Sequence, residues 1–138
     1  MLTRDQKYAS IVYDQVCKIR SEKQEKQEYK KYGAMAHKLP ILIYTAGLTQ
    51  ALEFLNARDE EVLKRLLKDL AITVGQKDAD ALLCHIRGLQ LSGYMILTQQ
   101  ILAALLWYKR FAQSVLGVSS GDSDDPQLGS EVNNDSPN

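Results

Sequence analysis

The sequence has few of the residues from which catalytic and metal sites are usually built. Its 138 residues include two cysteines, Cys17 and Cys84, and two histidines, His37 and His85. None of these residues forms a C-x-x-C or H-x-x-x-H pair, and the eight glycines do not form a G-x-x-x-x-G-K phosphate loop. We therefore predict that the chain is not an enzyme, holds no metal or cofactor, and has no small-molecule substrate.

Long apolar runs are also missing. No segment reaches the roughly 18 apolar residues that a membrane span needs, and residues 1–6 contain no apolar signal-peptide core. Two cysteines without a secretory signal are expected to be reduced thiols. These features predict a cytoplasmic protein that does not associate with membranes.

Strand-like alternation of apolar and polar residues is nearly absent, and helical periodicity takes its place. Thr3 and Gln6 fit a helix-capping box. The apolar residues that follow recur at spacings of four, four and three, and they are Tyr8, Val12, Val16 and Ile19. After Ile19 the segment 21–31 has little to bury, so we interpret it as a solvated helical arm or a mobile connection.

The remaining helices are delimited by glycine, proline and capping residues. A break is predicted at Tyr32-Gly33, and a second helix is predicted to begin at Pro40, because the residue before a proline is driven out of the α region. A third helix covers about 59–74 and stops at Gly75. Asp78 caps a fourth helix, and after Ser92-Gly93 a very apolar last helix covers about 94–116.

This pattern predicts an all-α fold, a compact bundle of five to six helices in residues 1–116. Residues 117–138 are rich in Ser, Asp, Gly, Asn and Pro and carry five acidic and no basic side chains, which predicts a disordered acidic tail. The formal net charge of zero therefore hides a basic body, since residues 1–116 carry 17 basic and 12 acidic side chains.

The basic residues of the body are candidates for contact with a phosphate backbone. Arg4, Lys7 and Lys18 fall at 0°, 300° and 320° around a helix that advances by about 100° per residue, so they share one stripe. Lys109 and Arg110 interrupt the apolar last helix, and Lys38 adds charge near the first loop. If packing brings them together, they form a patch that suits a polyanion without reading its sequence.

Three segments resemble the small-subunit family of Cmr-type (type III-B) CRISPR ribonucleoprotein complexes. They are the helix beginning Arg4-Asp5-Gln6-Lys7-Tyr8, the stretch Lys38-Leu39-Pro40 followed by Gly47-Leu48-Thr49-Gln50, and the terminal motif Trp107-Tyr108-Lys109-Arg110-Phe111-Ala112. Together they span residues 4 to 112 in the order of the family.

The resemblance implies a non-catalytic helical subunit that serves antiviral defence. Its partners would be the repeating backbone subunit of the complex, other copies of itself, and the target single-stranded RNA paired with the guide RNA. Cutting of the target would belong to the backbone subunit. The RNA-contacting residues that we predict are Arg4, Lys7, Lys18, Lys38, Lys109 and Arg110.

A helical adaptor or oligomerisation module without a nucleic-acid role remains the main alternative. It explains the apolar last helix equally well, and it attributes the basic excess to solubility. Salt-dependent RNA binding would separate the two interpretations.

Overall fold

The computed structural model describes residues 1–22 and 26–119. Over these ranges it contains helices and no strand, which confirms the predicted all-α bundle. The helices are α1 (Arg4–Glu22), α2 (Lys26–Ala46), α3 (Leu48–Ala57), α4 (Glu61–Thr73), α5 (Ala79–Arg87) and α6 (Leu91–Ser114). Residues 23–25 of the predicted arm and residues 120–138 of the predicted disordered tail lie outside the described residues.

Helix α1 begins as its capping box predicts. The Thr3 amide donates a 2.8 Å hydrogen bond to Oε1 of Gln6, and the Gln6 amide donates a 3.1 Å bond to Oγ1 of Thr3. The buried residues of α1 are the four of the apolar stripe, Tyr8, Val12, Val16 and Ile19. Local sequence alone therefore sets both the start and the buried face of this helix.

Helix α2 is longer than the sequence indicates, because neither predicted boundary interrupts it. It continues through Gly33 and Pro40 and ends at Ala46. A proline inside a helix removes one hydrogen bond and costs about 3 kcal/mol. The face of α2 that holds Tyr32, Met35 and Leu39 is almost completely buried, and this burial outweighs the local cost.

The break between α2 and α3 comes at Gly47, inside what the sequence predicts as one helix. Gly47 has a φ of +89° and a ψ of +161°, a conformation that is essentially restricted to glycine. Its carbonyl oxygen accepts a 3.0 Å hydrogen bond from the Ala51 amide, so the same residue begins α3.

The ends of α4 and α5 follow their predicted signals. Gly75, with a φ of +95°, ends α4. There the Gln76 amide donates a 2.8 Å bond to the Ala71 carbonyl oxygen, the arrangement of a Schellman motif. Oδ1 of Asp78 accepts a 2.8 Å bond from the Ala81 amide and caps α5. Helix α6 begins earlier than predicted, at Leu91, because Ser92 and Gly93 belong to its first turn.

The core lies between α1, α2, α4 and α6. Helix α6 packs against both α1 and α2, while α3 and α5 pack against α4 and against each other. The core extends past α6 to Leu116 and Val118, which are 4% and 0% exposed. No helix within the described ranges has an apolar stretch of the length that crossing a bilayer requires.

Candidate nucleic-acid interface

The C-terminal half of α6 carries an arginine held against an aromatic surface. The guanidinium carbon of Arg110 lies 5.0 Å from the ring centroid of Trp107. Trp107 and Phe111, one turn apart, stack with centroids 5.8 Å apart and an interplanar angle of 25°. The contact between Arg110 and Trp107 restricts the arginine side chain while its charged end remains at the surface.

Tyr13 of α1 extends this aromatic surface across the seam between the helices. Its ring meets Phe111 edge to face, with centroids 5.3 Å apart, and the side chain remains 48% exposed. We call Tyr13, Trp107 and Phe111 the aromatic row. Three exposed or half-buried rings beside a guanidinium group combine flat surfaces, of the kind on which nucleic-acid bases stack, with a positive charge.

No local pattern in the sequence indicates this row. Trp107 and Phe111 are four residues apart, so the spacing indicated that they share a face of α6. Tyr13 is 98 positions away from Phe111, and only packing brings it there. The same pairing recurs elsewhere, because Arg4, Arg20 and Arg58 lie 5.7, 5.9 and 5.5 Å from the rings of Tyr8, Tyr29 and Phe54.

Lys18 lies in a different place, in a groove between α1 and α4. The groove has a volume of about 380 Å³, and Arg65 and Lys68 of α4 line it together with Lys18. Arg65 is already paired, because its Nη1 atom is 2.8 Å from Oε2 of Glu22 and its Nε atom is 3.5 Å from Oδ1 of Asp69. Acidic and basic groups are thus mixed in this groove, and its net charge is low.

The predicted basic stripe on α1 therefore does not join the basic residues of α6. Lys18 faces α4, whereas Tyr13 faces α6, and five residues separate them by about 140° around the helix. Lys7, on the same stripe as Lys18, is exposed, and Arg4 is exposed as well, 3.9 Å from Asp5. The basic candidates of α1 therefore lie on a different flank of this helix from Tyr13 and the aromatic row.

Lys38 and Lys109 lie in a third region of the protein, near the point where the chain leaves α6. Lys109 is half-buried and lies one turn before Ala112, whose carbonyl oxygen accepts a 2.9 Å hydrogen bond from the Val118 amide. Lys38 is exposed and follows His37, whose Nε2 atom is 2.9 Å from the Val118 carbonyl oxygen. Val118 thus connects the two helices that carry these lysines.

A network of buried polar side chains lies behind α1, and it too depends on contacts between residues far apart in the sequence. Asp69 is 4% exposed, and its Oδ2 accepts a 2.6 Å hydrogen bond from the Tyr32 hydroxyl. Burial raises the pKa of the Asp69 carboxyl, and the bond from Tyr32 and the charge of Arg65 oppose this rise. The sequence does contain one indication of this network, because the spacing of Leu66, Asp69 and Thr73 places the aspartate on the buried face of α4.

Three further polar side chains complete this network. Oγ1 of Thr73 and the Tyr108 hydroxyl are 2.9 Å apart, and the Tyr108 hydroxyl donates to Oε1 of Gln15. Gln15 also donates a 3.0 Å bond to the Asp69 carbonyl oxygen. These bonds fix α1, α4 and α6 relative to one another, so the role of the network is structural.

The two histidines differ in burial, and so do the two cysteines, although Cys84 and His85 are neighbours in the sequence. His37 is buried and His85 is exposed, while Cys17 is half-buried and Cys84 is exposed. Among the residues that the structure describes, no group of three His, Cys, Asp or Glu side chains is placed to hold a metal ion.

An apolar groove lies between the end of α2 and the start of α6. It has a volume of about 390 Å³ and is lined mainly by apolar atoms. Tyr44 and Met95 at its edge are 76% and 55% exposed. Exposed apolar side chains in a continuous group of this kind are typical of a protein–protein contact.

Comparison with known proteins gives consistent matches. A family model described as CRISPR-associated protein (Cas_Cmr5) matches residues 4–115. A Thermus thermophilus protein named CRISPR system Cmr subunit Cmr5 is 40% identical over 116 residues, which is 84% of this chain and 98% of that protein. The X-ray structure of a CRISPR-associated Cmr5 family protein, also from Thermus thermophilus, matches with a TM-score of 0.77 at 39% identity, over 83% of this chain and 98% of that one.

Proposed function

The chain belongs to the Cas_Cmr5 family of CRISPR-associated proteins, and on that premise we propose that it is a non-catalytic, RNA-binding and scaffolding small subunit of its complex. Family membership makes the chain a component of a Cmr-type (type III-B) effector. In this proposal the subunit contacts target RNA, the repeating backbone subunit and further copies of this chain. Cutting of the target is left to another subunit.

The observation that carries the RNA-binding proposal is the placement of Arg110 on Trp107 at the end of the aromatic row. Arg110 supplies a positive charge for a phosphate group, and neither α6 nor the link before it contains an acidic residue to neutralise that charge. The row offers stacking surfaces that accept any base, with each stacked base contributing about 1–3 kcal/mol. Such a surface favours RNA binding without sequence preference.

Repetition in the assembly would supply most of the affinity. One arginine and three rings are a small binding surface, so we expect an isolated subunit to bind RNA weakly. Copies placed side by side bind the same strand at a high effective concentration, which raises the overall affinity without any new contact.

A helical adaptor without RNA contact is the second candidate, and the exposed apolar groove favours it. Tyr44 and Met95 are well placed to meet another protein chain. The two functions are compatible, because the groove and the aromatic row occupy different parts of α6. A steep salt dependence of RNA binding distinguishes an RNA-binding subunit from an adaptor alone.

The test is a binding titration of target RNA to the assembled complex, with Lys109→Glu and Arg110→Glu introduced together. We expect the affinity to fall by about tenfold or more, since a loss of 1.4 kcal/mol already gives this factor. The dependence of log K on log salt concentration should become shallower by roughly 0.7 for each phosphate group that the double variant no longer neutralises.

The matched control is the pair Lys64→Glu and Lys77→Glu, which changes the net charge equally at two exposed positions away from the row. We expect this control to retain the affinity and salt slope of the unchanged complex. Equal behaviour of the two double variants, with both chains correctly folded and incorporated, would refute the RNA-binding proposal. Incubation of the purified chain with labelled RNA and Mg²⁺ checks the non-catalytic part, and any specific cleavage would contradict it.

A further inference from the structure

The seam between α1 and α6 continues beyond the aromatic row to a second arginine. Arg20 follows Tyr13 by seven residues, which places it two turns later, about 10 Å along the axis and on nearly the same face of α1. The Arg20 guanidinium group donates a hydrogen bond to the Val115 carbonyl oxygen at the C-terminal end of α6, one turn after Phe111. These two contacts with α6 define a line along the seam from Tyr13 to Arg20.

Two uncharged groups hold the exposed Arg20 side chain in place. One is the Val115 carbonyl oxygen, and the other is the ring of Tyr29 on α2, whose centroid lies 5.9 Å from the guanidinium carbon. These contacts orient the guanidinium group without neutralising its charge. Its five N–H donors form a planar fork that matches a phosphate group, and the bond to Val115 uses one of them. The arrangement repeats that of Arg110 on the ring of Trp107.

Acidic side chains of α1 near this seam are directed toward α4 instead. Asp14 is the one acidic residue between Tyr13 and Arg20 in the sequence, and it lines the groove between α1 and α4. Glu22, two residues after Arg20, pairs with Arg65 of α4. Helix α6 contains no acidic residue. The seam that the structure describes therefore combines aromatic rings with a positive charge at each end.

We propose that the RNA-binding surface extends from the aromatic row along this seam to Arg20, which contacts a second phosphate group of the same strand. Phosphate groups of a stacked strand advance by about 3.4 Å each, so roughly three nucleotides cover the distance from Tyr13 to Arg20. Ser114, three residues after Phe111 on α6, is small and exposed, which permits close approach of the strand. The inference rests on the proposed function, and it adds a contact residue outside the basic stripe of α1.

The experiment is a titration of target RNA with the assembled complex at several salt concentrations, with Arg20→Gln in this chain. We expect the affinity to fall by about threefold or more. The dependence of log K on log salt concentration should become shallower by about 0.7, the value for one phosphate contact of a single strand. The matched control is Arg58→Gln, because Arg58 also lies over a ring, that of Phe54, but its charge is already paired with Glu60. We expect this control to change neither quantity.

A purely structural role of Arg20 predicts a different result. Losing only its bond to the Val115 carbonyl oxygen would loosen the end of α6 and lower the affinity, but the salt dependence would keep its slope. An unchanged slope for Arg20→Gln would therefore overturn the proposal, whatever the affinity. Equal effects of Arg20→Gln and Arg58→Gln on binding would overturn it as well.

A second pair of variants tests the seam without changing Arg20, so it applies even if Arg20→Gln does not fold. Ser114→Asp places a negative charge on the exposed surface between Phe111 and Val115, and we expect a similar loss of affinity and of salt slope. Ser92→Asp makes the same substitution at an exposed position in the first turn of α6 and should change neither quantity. Equal RNA binding by the two aspartate variants would contradict the proposed path.

Failure of this inference can be told apart from failure of the proposed function. If the Arg20 and Ser114 variants bind RNA normally while the double variant of Lys109 and Arg110 loses affinity, the strand contacts the aromatic row without following the seam. If all of these variants bind RNA normally, neither the row nor the seam contacts RNA, and both proposals fail.

Discussion

The hydroxyl group of Tyr32 on α2 donates a 2.6 Å hydrogen bond to the buried Oδ2 atom of Asp69 on α4. The two residues are 37 positions apart in the sequence, and both are almost inaccessible to solvent. A buried carboxyl group requires such a partner, because leaving it without hydrogen bonds costs several kcal/mol. The bond therefore joins α2 to the network that already connects α1, α4 and α6.

Removing the Tyr32 hydroxyl should destabilise the fold. In Tyr32→Phe the ring still fills the core, but the Asp69 carboxylate no longer accepts this hydrogen bond, so we expect the free energy of unfolding to fall by about 1–3 kcal/mol. Urea denaturation followed by circular dichroism measures the change. The control is Tyr44→Phe, because Tyr44 is 76% exposed and a surface change of this kind stays within about 0.5 kcal/mol. Equal stability of the two variants would contradict the role assigned to the Tyr32 hydroxyl.

Asp69 should make part of the stability depend on pH. Burial raises the pKa of its carboxyl in the folded protein above the unfolded value of about 3.9, so the folded state binds this proton more tightly. The stability that this bound proton contributes is fully present below the pKa of Asp69 in the unfolded chain. It is lost as the pH rises through the pKa of Asp69 in the folded protein. Relative to Asp69→Asn, the unchanged protein should therefore lose stability as the pH rises above about 4.

Urea denaturation of both proteins across that pH range provides the measurement. Asp59→Asn is the control, since Asp59 is exposed, and we expect it to follow the pH dependence of the unchanged protein. A difference between Asp69→Asn and the unchanged protein that is constant with pH, or of opposite slope, would contradict a raised pKa of the Asp69 carboxyl in the folded protein.

Gly47→Ala should destabilise the junction between α2 and α3. A residue with a Cβ atom is strained at the φ of +89° found there, which costs about 1–3 kcal/mol. The room for the methyl group is sufficient, since the nearest atom, the Tyr94 hydroxyl oxygen, would be 3.7 Å away, so backbone strain is the cause. Gly88→Ala is the control, because Gly88 has a φ of −93° and ordinary contacts. Thermal denaturation measures the Tm of both variants, and an equal decrease in Gly47→Ala and Gly88→Ala would contradict this explanation.

Much of the helical structure was predictable, because it depends on neighbours in the sequence. The capping residues of α1 and α5, the stop at Gly75 and the buried stripe of α1 are local signals, and each is confirmed. The family resemblance read from the segments between residues 4 and 112 is confirmed by the family match as well. The boundary predicted at Pro40 was wrong, because local propensity there competes with burial of Leu39 and Ile43 on the core face.

The candidate interface shows the limit of the same reasoning. A helical wheel placed Arg4, Lys7 and Lys18 on one stripe of α1, but it contains no information about which helix packs against that stripe. Packing against α4 directs Lys18 into a groove with acidic residues, while packing against α6 brings Tyr13 to Phe111. The aromatic row beside Arg110 exists only through that second contact.

The sequence by itself determined the helices, most of their ends and the basic character of the body, because capping, periodicity and charge act within a few residues along the chain. Tertiary structure decided that α2 continues through Pro40, that a tyrosine and an aspartate meet in the core, and that the basic residues fall into separate groups. These outcomes depend on which surfaces are removed from water together, and that free energy is shared by residues far apart in the chain.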